Sequence, residues 1–380
     1  MTNIVIASDS FKGSADSKKV AEQIAKGIKR VSTDVSISEY VIADGGEGTV
    51  EAIIGMIGGA YHYAVVRNPY GEKVNAMFGM IDKETAIIEI AEASGLQYRE
   101  SDSDPGISST YGTGELIRAA LDIGAKHIYI GLGGSATIDG GAGMAQALGI
   151  KLLDQAGVDI GYGVKELERL DRVDYSQIDT RIAKVRFSVL SDVTNPLTGQ
   201  NGATAVFGPQ KGVQESDIKR FDELLKQYAD IIEKETNHRY QNAPGSGAAG
   251  GLGFALQAFC NAKLTSGIEE VLKLIKLEED LKKADLVITG EGNMDGQSVQ
   301  GKAPVGVARL AKKYGLPVIA IVGGREQDLS KIYHSGIDLV IDTVNRPMTL
   351  QEAIIDVEAL LIEAGETAFR AYQLGAKNKK

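Results

Sequence analysis

The amino-acid sequence predicts an α/β protein with two α/β domains: a discontinuous doubly wound domain, Rossmann-like or flavodoxin-like, into which a second α/β domain is inserted. Three observations lead to this fold class. Short apolar segments of strand length alternate with segments of helical periodicity at both ends of the chain. The middle of the chain contains a hairpin pattern that the ends lack. The length of 380 residues exceeds the usual size of one domain.

The two ends of the chain are predicted to form one parallel sheet. Short, turn-bounded apolar segments of the kind found in buried parallel strands lie at residues 4–8, 38–43, 286–289, 318–322 and 339–342. Helical periodicity follows the first two segments and returns at 305–314 and 352–372. Because such alternation builds a doubly wound sheet, residues 1–66 and 285–380 are assigned to the first domain.

The middle of the chain, residues 67–284, is predicted to be the inserted α/β domain. A hairpin is expected where residues 61–66 and 74–81 flank an Asn-Pro-Tyr-Gly turn. Further elements with strand or helix character are expected at residues 85–90, 128–130 and 185–190 (strands) and 113–123 (helix).

Composition and charge exclude several classes of protein. The formal net charge of −10 argues against a nucleic-acid partner, which needs a basic surface. No apolar run approaches the roughly 20 residues of a membrane span, and no basic leader precedes the first strand, so no membrane partner is expected. The single cysteine, Cys260, predicts a buried thiol in a reducing, cytoplasmic setting. The oligomeric state is left open.

Glycine is strongly enriched, and its positions point to anion binding. The chain has 46 glycines, against about 27 at an average usage of ~7%. Acidic residues and glycines follow five predicted strands, in loops beginning at residues 9, 44, 131, 191 and 290. In an open parallel sheet, ligands bind beyond the carboxyl ends of the strands. Glycine-rich loops and helix N-termini there present backbone N–H groups to anions.

The loop at residues 131–143 is expected to be the strongest anion site, because its glycines leave amide groups free for phosphates. Lys12 and Lys211, each held in a turn bounded by glycine, are candidate counter-charges for a phosphate or carboxylate. Residues 296–302 match the GxxxxGK spacing of a P-loop, but Ala303 stands where a P-loop carries its Mg²⁺-binding hydroxyl. An orthodox P-loop NTPase is therefore rejected, and Lys302 is kept as an anion contact.

Six of these segments together resemble the bacterial glycerate kinases of glyoxylate and sugar-acid catabolism. The segments are DSFKGS (9–14), ADGGEGT (43–49), GLGGSATIDGGAG (131–143), SDVTNPL (191–197), VFGPQKG (206–212) and TGEGNMDGQSVQGK (289–302). The resemblance implies a cytoplasmic enzyme with ATP and Mg²⁺ as cosubstrates and D-glycerate as acceptor. It also implies two α/β domains with the active site in the cleft between them. The product is 2-phosphoglycerate or 3-phosphoglycerate, and the sequence leaves both open.

Phosphoryl transfer requires in-line positioning, neutralisation of phosphate charge and a carboxylate near the attacking hydroxyl. The candidate catalytic residues are Asp192, Asp295, Lys12 and Lys211. Asp192 is also the candidate Mg²⁺ ligand, although the roles of base and metal ligand are not divided between Asp192 and Asp295. The candidate glycerate-binding residues are Asp9, Ser10, Asp44, Glu47 and Asn195. The candidate ATP-binding residues are Gly133, Gly134, Ser135, Thr137, Glu291 and Lys302.

Two other classes of function remain open from the residues alone. A non-catalytic protein that binds a nucleotide or sugar acid explains the glycine loops, but not the repeated carboxylates at strand ends. A nicotinamide dehydrogenase is formally allowed, because residues 131–136 fit GxGxxA after a predicted strand. That motif alone is weak.

Overall fold

The computed structural model describes residues 1–43, 45, 46, 48–296 and 302–377. Its alternating strands and helices confirm the predicted α/β class. The strands are β1 Thr2–Ser8, β2 Val35–Val41, β3 Ala60–Arg67, β4 Lys73–Met80, β5 Thr85–Glu89, β6 His127–Gly131, β7 Lys151–Leu153, β8 Arg172–Asp174, β9 Arg186–Leu190, β10 Lys263–Thr265, β11 Leu286–Met294, β12 Val318–Arg325 and β13 Leu339–Asp342.

The α-helices share the lengths usual for α/β proteins, from single turns to about six turns. They are α1 Ser17–Val31, α2 Thr49–Ile57, α3 Ala91–Ser94, α4 Tyr111–Ile123, α5 Ala142–Ala147, α6 Ala203–Phe207, α7 Glu215–Thr236, α8 Ala248–Cys260, α9 Gly267–Leu274, α10 Leu277–Leu281, α11 Ala303–Lys312, α12 Ser330–His334, α13 Leu350–Ile355 and α14 Val357–Lys377. Among the described helices, none combines the length and the apolar character needed to cross a bilayer.

The chain divides into two compact units. The first comprises Met1–Asp44 and Ile268–Lys380, and the second comprises Gly45–Gly267. These limits differ from the predicted 1–66 plus 285–380 and 67–284. Strand β3 groups with the second unit because it pairs with β4 along its whole length. Residues 268–284 group with the first unit, where Asp280 accepts a hydrogen bond from the Tyr40 hydroxyl at 3.0 Å.

The first unit contains a five-stranded parallel sheet in the order β13-β12-β11-β1-β2. Counted along this unit, the order is 2-1-3-4-5, which is the flavodoxin-like arrangement of a doubly wound sheet. The chain leaves β1 toward one edge to form β2 and later returns on the other side of β1 as β11. The topological switch point therefore lies between the carboxyl ends of β1 and β11.

Helices α1 and α14 pack together against the first unit's sheet. Two glycines face each other across this contact: a Cβ at Gly27 would collide with the backbone of Ile362, and a Cβ at Gly365 with that of Ile24. The glycines let the two helix backbones approach closely. The shared core is formed by aliphatic and aromatic side chains that include Ile4, Ile6, Val20, Ile24, Ile28, Leu286, Ile288, Leu361 and Phe369.

The second unit contains a mixed six-stranded sheet in the order β10-β9-β6-β5-β4-β3. Strands β10, β9, β6 and β5 are parallel, whereas β4 and β3 form the predicted antiparallel hairpin. A separate two-stranded ribbon is formed by β7 and β8. Cys260 is buried as predicted, and burial raises the pKa of its thiol to about 12.

Some predicted elements have different limits. Strand β11 was expected to end at residue 289 but runs to Met294, because Glu291 and Asn293 pair with Val322 and Gly324 of β12. Its glycines had indicated a loop, and the pairing with β12 overrides that indication. The helix predicted over 352–372 is divided into α13 and α14 at Asp356.

Candidate functional site

A pocket opens at the switch point of the first unit, with a volume of about 480 Å³. This is the position at which open parallel sheets bind ligands. The carboxyl ends of β1 and β11 both contribute to its wall. Six of the residues predicted from sequence line it: Asp9, Ser10, Lys12, Glu291, Asp295 and Lys302. The structure thus brings together predicted residues that are almost 300 positions apart in the chain.

The segment after β1 is held by backbone hydrogen bonds. The Asp9 N–H donates to the carbonyl of Gly290 in β11 at 2.9 Å. The Asp9 carboxylate accepts the Ser10 N–H at 2.6 Å. Phe11 and Ala15 then exchange two backbone hydrogen bonds that close a tight turn. Exposed Lys12 lies in this turn and lines the pocket, so an exposed ammonium is attached to a hydrogen-bonded backbone turn.

The carboxyl end of β11 contributes a charged cluster. The Lys302 ammonium lies 3.3 Å from the Asp295 carboxylate and 3.5 Å from that of Glu291, which is only 6% exposed. Burial lowers the pKa of Lys302, but Glu291 and Asp295 outweigh burial, so the pKa lies above its ordinary value. Lys302 therefore stays charged at neutral pH. It also precedes the first residue of α11, where the helix dipole favours anions.

Sequence reasoning missed the opposite side of this pocket. Leu350, Ala353, Ile354 and Val357 line it with aliphatic side chains from α13 and the start of α14. Their spacing of three and four residues is the pattern of one helix face. The pattern was visible in the sequence, but it indicated a helix packed against a core.

The loop at 131–143 in the second unit was expected to have free amide groups, but several of them donate hydrogen bonds within the protein. The Gly133 N–H donates to the Gly45 carbonyl at 3.3 Å, and the Gly140 N–H donates to the Gly250 carbonyl at 3.0 Å. The Gly141 and Gly143 N–H groups both donate to the Asp139 carboxylate at 3.1 Å. The expectation of free amide groups is wrong at these four positions, because protein oxygens already accept their protons.

The Asp139 side chain is the internal hydrogen-bond acceptor of that loop. Its carboxylate is fully buried and also accepts hydrogen bonds from the Thr110 amide at 2.8 Å and the Thr110 hydroxyl at 2.9 Å. Burial raises the pKa of Asp139, and the hydrogen bonds from Thr110, Gly143 and Gly141 oppose that rise. The Asp139 side chain therefore accepts hydrogen bonds from amide groups of its own loop.

Lys211 is buried against the same loop, at 2% exposure. Its ammonium donates to the Thr137 carbonyl at 2.8 Å and to the Ser135 hydroxyl at 3.2 Å. Burial lowers the pKa of Lys211 to about 7, with the charge of Asp139 acting in the opposite sense. The structure therefore brings three predicted residues, Lys211, Ser135 and Thr137, into direct contact. Their catalytic and ATP-binding roles stay predictions.

The remaining predicted residues lie elsewhere in the second unit or outside the residues that the structure describes. Asp192 is half-buried just beyond β9 in the second unit. Asn195 follows it, and its side-chain amide donates to the Asn201 carbonyl at 2.8 Å. Gly134 has a left-handed backbone with φ of 72°. Asp44 and Glu47 lie outside the described residues, so their predicted contacts with glycerate stay predictions.

Glu89 is a further residue that sequence reasoning missed. It ends β5 and is buried, and its carboxylate accepts the Gly48 N–H at 3.0 Å and the Val50 N–H at 2.6 Å. These amides form the N-terminus of α2, directly after the motif at 43–49. Burial raises the pKa of Glu89 to about 7, while its two amide hydrogen bonds lower it and nearby Glu92 and Glu51 add to the rise.

Comparison with known proteins identifies the family. The sequence model described as the glycerate kinase family matches residues 4–373. Glycerate 2-kinase of Escherichia coli is 46% identical over 99% of both chains, and a glycerate kinase of Bacillus subtilis is 47% identical over 92% of both. A crystal structure from Salmonella typhimurium LT2, assigned to glycerate kinase 2, superposes with a TM-score of 0.88 at 43% identity and covers 99% of both chains. The chain therefore belongs to the glycerate kinase family of phosphotransferase enzymes.

Proposed function

We propose that the protein transfers the γ-phosphoryl group of Mg²⁺-bound ATP to the 2-hydroxyl of D-glycerate, giving ADP and 2-phosphoglycerate. The observation that carries this proposal is the pocket of the first unit, in which three carboxylates and two lysines share one cavity at the sheet's switch point. Family membership limits the reaction to phosphorylation of glycerate. The pocket chemistry is what such a reaction requires.

The two lysines are suited to a triphosphate. Lys12 is exposed in its turn, and Lys302 stands before the N-terminus of α11, so both are placed to meet anionic oxygens. Lys302 is held near Glu291 and Asp295 before any ligand binds. Since electrostatic preorganisation supplies much of the stabilisation in phosphoryl transfer, a fixed ammonium is more effective than a mobile one.

The charge balance of the pocket fits a divalent cation. Asp9, Glu291 and Asp295 give the pocket one more carboxylate than it has ammonium groups. Such a pocket disfavours a bare triphosphate and favours one whose charge is reduced by Mg²⁺. Within the described ranges, no group of three or more His, Cys, Asp or Glu side chains forms a metal cage. Mg²⁺ is commonly held by one or two carboxylates together with phosphate oxygens, and when bound it neutralises phosphate charge.

Two carboxylates are candidates for the base that takes the proton of the glycerate hydroxyl. Asp295 lines the pocket directly and is the first candidate. Asp192, at the end of β9, is the second, and it retains its predicted role as a Mg²⁺ ligand. A positioned carboxylate contributes roughly 10²- to 10⁴-fold to rate in general base catalysis. Asp9 and Ser10 are proposed to hold the substrate hydroxyls.

The position of the reacting hydroxyl is proposed from similarity. The Escherichia coli relative carries the name Glycerate 2-kinase, and its alignment spans 99% of both chains. The alternative product, 3-phosphoglycerate, differs in the carbon that bears the phosphate. A cytoplasmic location and the lack of nucleic-acid or membrane partners stay predictions from the sequence.

Phosphorus NMR of the reaction mixture tests the proposal. With D-glycerate, ATP and Mg²⁺, the product phosphorus should couple to the single proton on carbon 2 and give a doublet. A triplet from a neighbouring CH₂ group would assign the 3-hydroxyl instead. L-Glycerate is the matched control for stereochemistry, and omission of Mg²⁺ is the control for the metal. Lack of ATP-dependent product from D-glycerate would overturn the proposed function.

A further inference from the structure

We propose that the first unit's pocket binds the adenine base of ATP against an aliphatic wall formed by Leu350, Ala353, Ile354 and Val357. This inference rests on the proposed function, because it takes ATP as the phosphoryl donor. It adds the location of the base, which the family assignment does not provide. The phosphates then extend toward Lys12 and Lys302 at the polar end of the same cavity.

Two of the four residues of the aliphatic wall are exposed, whereas Val357 at the start of α14 is buried in the first unit's core. All six residues of α13 are described, and none is buried. Leu350 is 78% exposed and Ile354 is 38% exposed, although both belong to one helix face. An amphipathic helix normally turns such a face toward a core, and a cluster of exposed apolar side chains marks a binding site more often than a single one does.

The wall is held in place before a ligand binds. Thr349 and Glu352 form a capping box at the start of α13: the Thr349 N–H donates to the Glu352 carboxylate at 2.7 Å, and the Glu352 N–H donates to the Thr349 hydroxyl at 3.3 Å. Arg346 and Asp356 form an ion pair at 3.1 Å around the other end of the helix. These exposed contacts favour the helical conformation of α13, which has no buried residues, and helical order before binding lowers the entropy cost of binding.

The chemistry of the pocket matches a nucleotide better than glycerate alone. Glycerate is polar on every carbon and has no apolar surface to place on the aliphatic wall. A nucleoside triphosphate has a flat base with apolar faces at one end and anionic oxygens at the other. The cavity of about 480 Å³ lies within the range of small-molecule sites, and it joins the aliphatic wall to Lys12 and Lys302. The aliphatic end of the cavity therefore suits the base, and the end with the two lysines suits the phosphates of the same nucleotide.

The test measures binding of ADP and of inorganic tripolyphosphate to the full-length protein by calorimetry, with Mg²⁺ present. The wall variant is the double substitution Leu350→Ser with Ile354→Asn. The matched control is Ile355→Asn, because Ile355 is 73% exposed on the same helix but does not line the pocket. All three positions are exposed, so the fold should tolerate the changes, and circular dichroism verifies this.

We expect the wall variant to weaken ADP binding at least tenfold, which corresponds to about 1.4 kcal/mol, while tripolyphosphate binding and the KM for glycerate stay within twofold. Ile355→Asn should change none of these quantities. Unchanged ADP affinity in the wall variant overturns the inference. So does an equal loss in the control, or a loss confined to the KM for glycerate. A wild-type protein that binds ADP through the wall but does not phosphorylate glycerate would overturn only the proposed function.

Discussion

The first unit and the second unit each place glycines and acids after parallel strands, yet the two regions use them differently. At the end of β11, charged side chains line an open cavity, and the glycines lie in paired strand. In the loop after β6, the amides of Gly141 and Gly143 bind the buried carboxylate of Asp139. A glycine-rich strand end therefore does not identify an anion site by itself, because its N–H groups can already donate to acceptors within the protein. In the second unit, the group that accepts these hydrogen bonds is the protein's own aspartate.

The largest expected effect on kcat comes from replacing an aspartate at a strand end in each unit. Asp295→Asn should lower kcat at least ~100-fold, because it removes a candidate base or metal ligand from the pocket. Asp192→Asn is expected to act similarly, as the sequence predicts. Asp328→Asn is the control, since Asp328 is an exposed aspartate of the first unit that accepts the Ser330 N–H. The measurement is steady-state kinetics with ATP and D-glycerate.

The pair of variants also decides which unit carries the reacting carboxylate. If Asp295→Asn kept near wild-type turnover and Asp192→Asn lost most of it, the reacting carboxylate would belong to the second unit. The assignment of the base to Asp295 in the first unit's pocket would then be wrong. Near wild-type turnover in both would remove both residues from the mechanism. Thermal unfolding of each variant shows whether an activity loss reflects misfolding.

In the second unit, titration of Glu89 should make the free energy of unfolding depend on pH. Its ordinary pKa is 4.5, and the folded value is about 7, so the folded protein holds this proton more tightly than the unfolded chain. The contribution to stability is complete below pH 4.5 and is lost as the pH rises through about 7. At 1.36 kcal/mol per pKa unit, the loss amounts to about 3 kcal/mol.

Glu89→Gln replaces the titrating group by a neutral amide and should remove this part of the pH dependence. Urea unfolding at pH 5 and pH 8 measures it: relative to wild type, the variant should gain about 2.5 kcal/mol between the two pH values, because part of the contribution is already lost at pH 5. Glu100→Gln, at an exposed position of the second unit, is the control and should follow the wild type. Parallel slopes for Glu89→Gln and wild type would show that Glu89 does not titrate in this range.

Much of the first unit could be predicted from sequence, because its signals are local. Apolar segments of strand length predicted β1, β12 and β13, and the acids and lysines that follow β1 and β11 were assigned to a ligand site by their position alone. Because ligands bind at the carboxyl ends of parallel strands, Asp9 and Glu291 can be predicted to lie near the same ligand without knowledge of the fold's details. The pocket contains both.

The second unit was harder to predict because its hydrogen bonds join distant segments. The acceptor for the Gly133 N–H is Gly45, and the partners of Asp139 include Thr110. No local pattern shows which segments meet, so the loop's glycines indicated free amides. Asp139 belongs to the motif itself, but its burial depends on tertiary packing. The aliphatic wall was missed for the opposite reason: its local pattern was clear, but its exposure is a property of the fold.

Gly133→Ala separates packing from ligand binding in the loop after β6. A Cβ at Gly133 would lie 2.5 Å from the Cα of Gly46, so the backbone must shift. Since an extra methyl in a packed site is destabilising, we expect the free energy of unfolding to fall by about 1 to 2 kcal/mol, with the KM for ATP near the wild-type value. Gly55→Ala is the control: nothing lies within 4 Å of its Cβ on α2, so it should stabilise by up to ~1 kcal/mol. If Gly133→Ala instead raised the KM for ATP tenfold without loss of stability, the glycine would contact the nucleotide, and its role would not be one of packing alone.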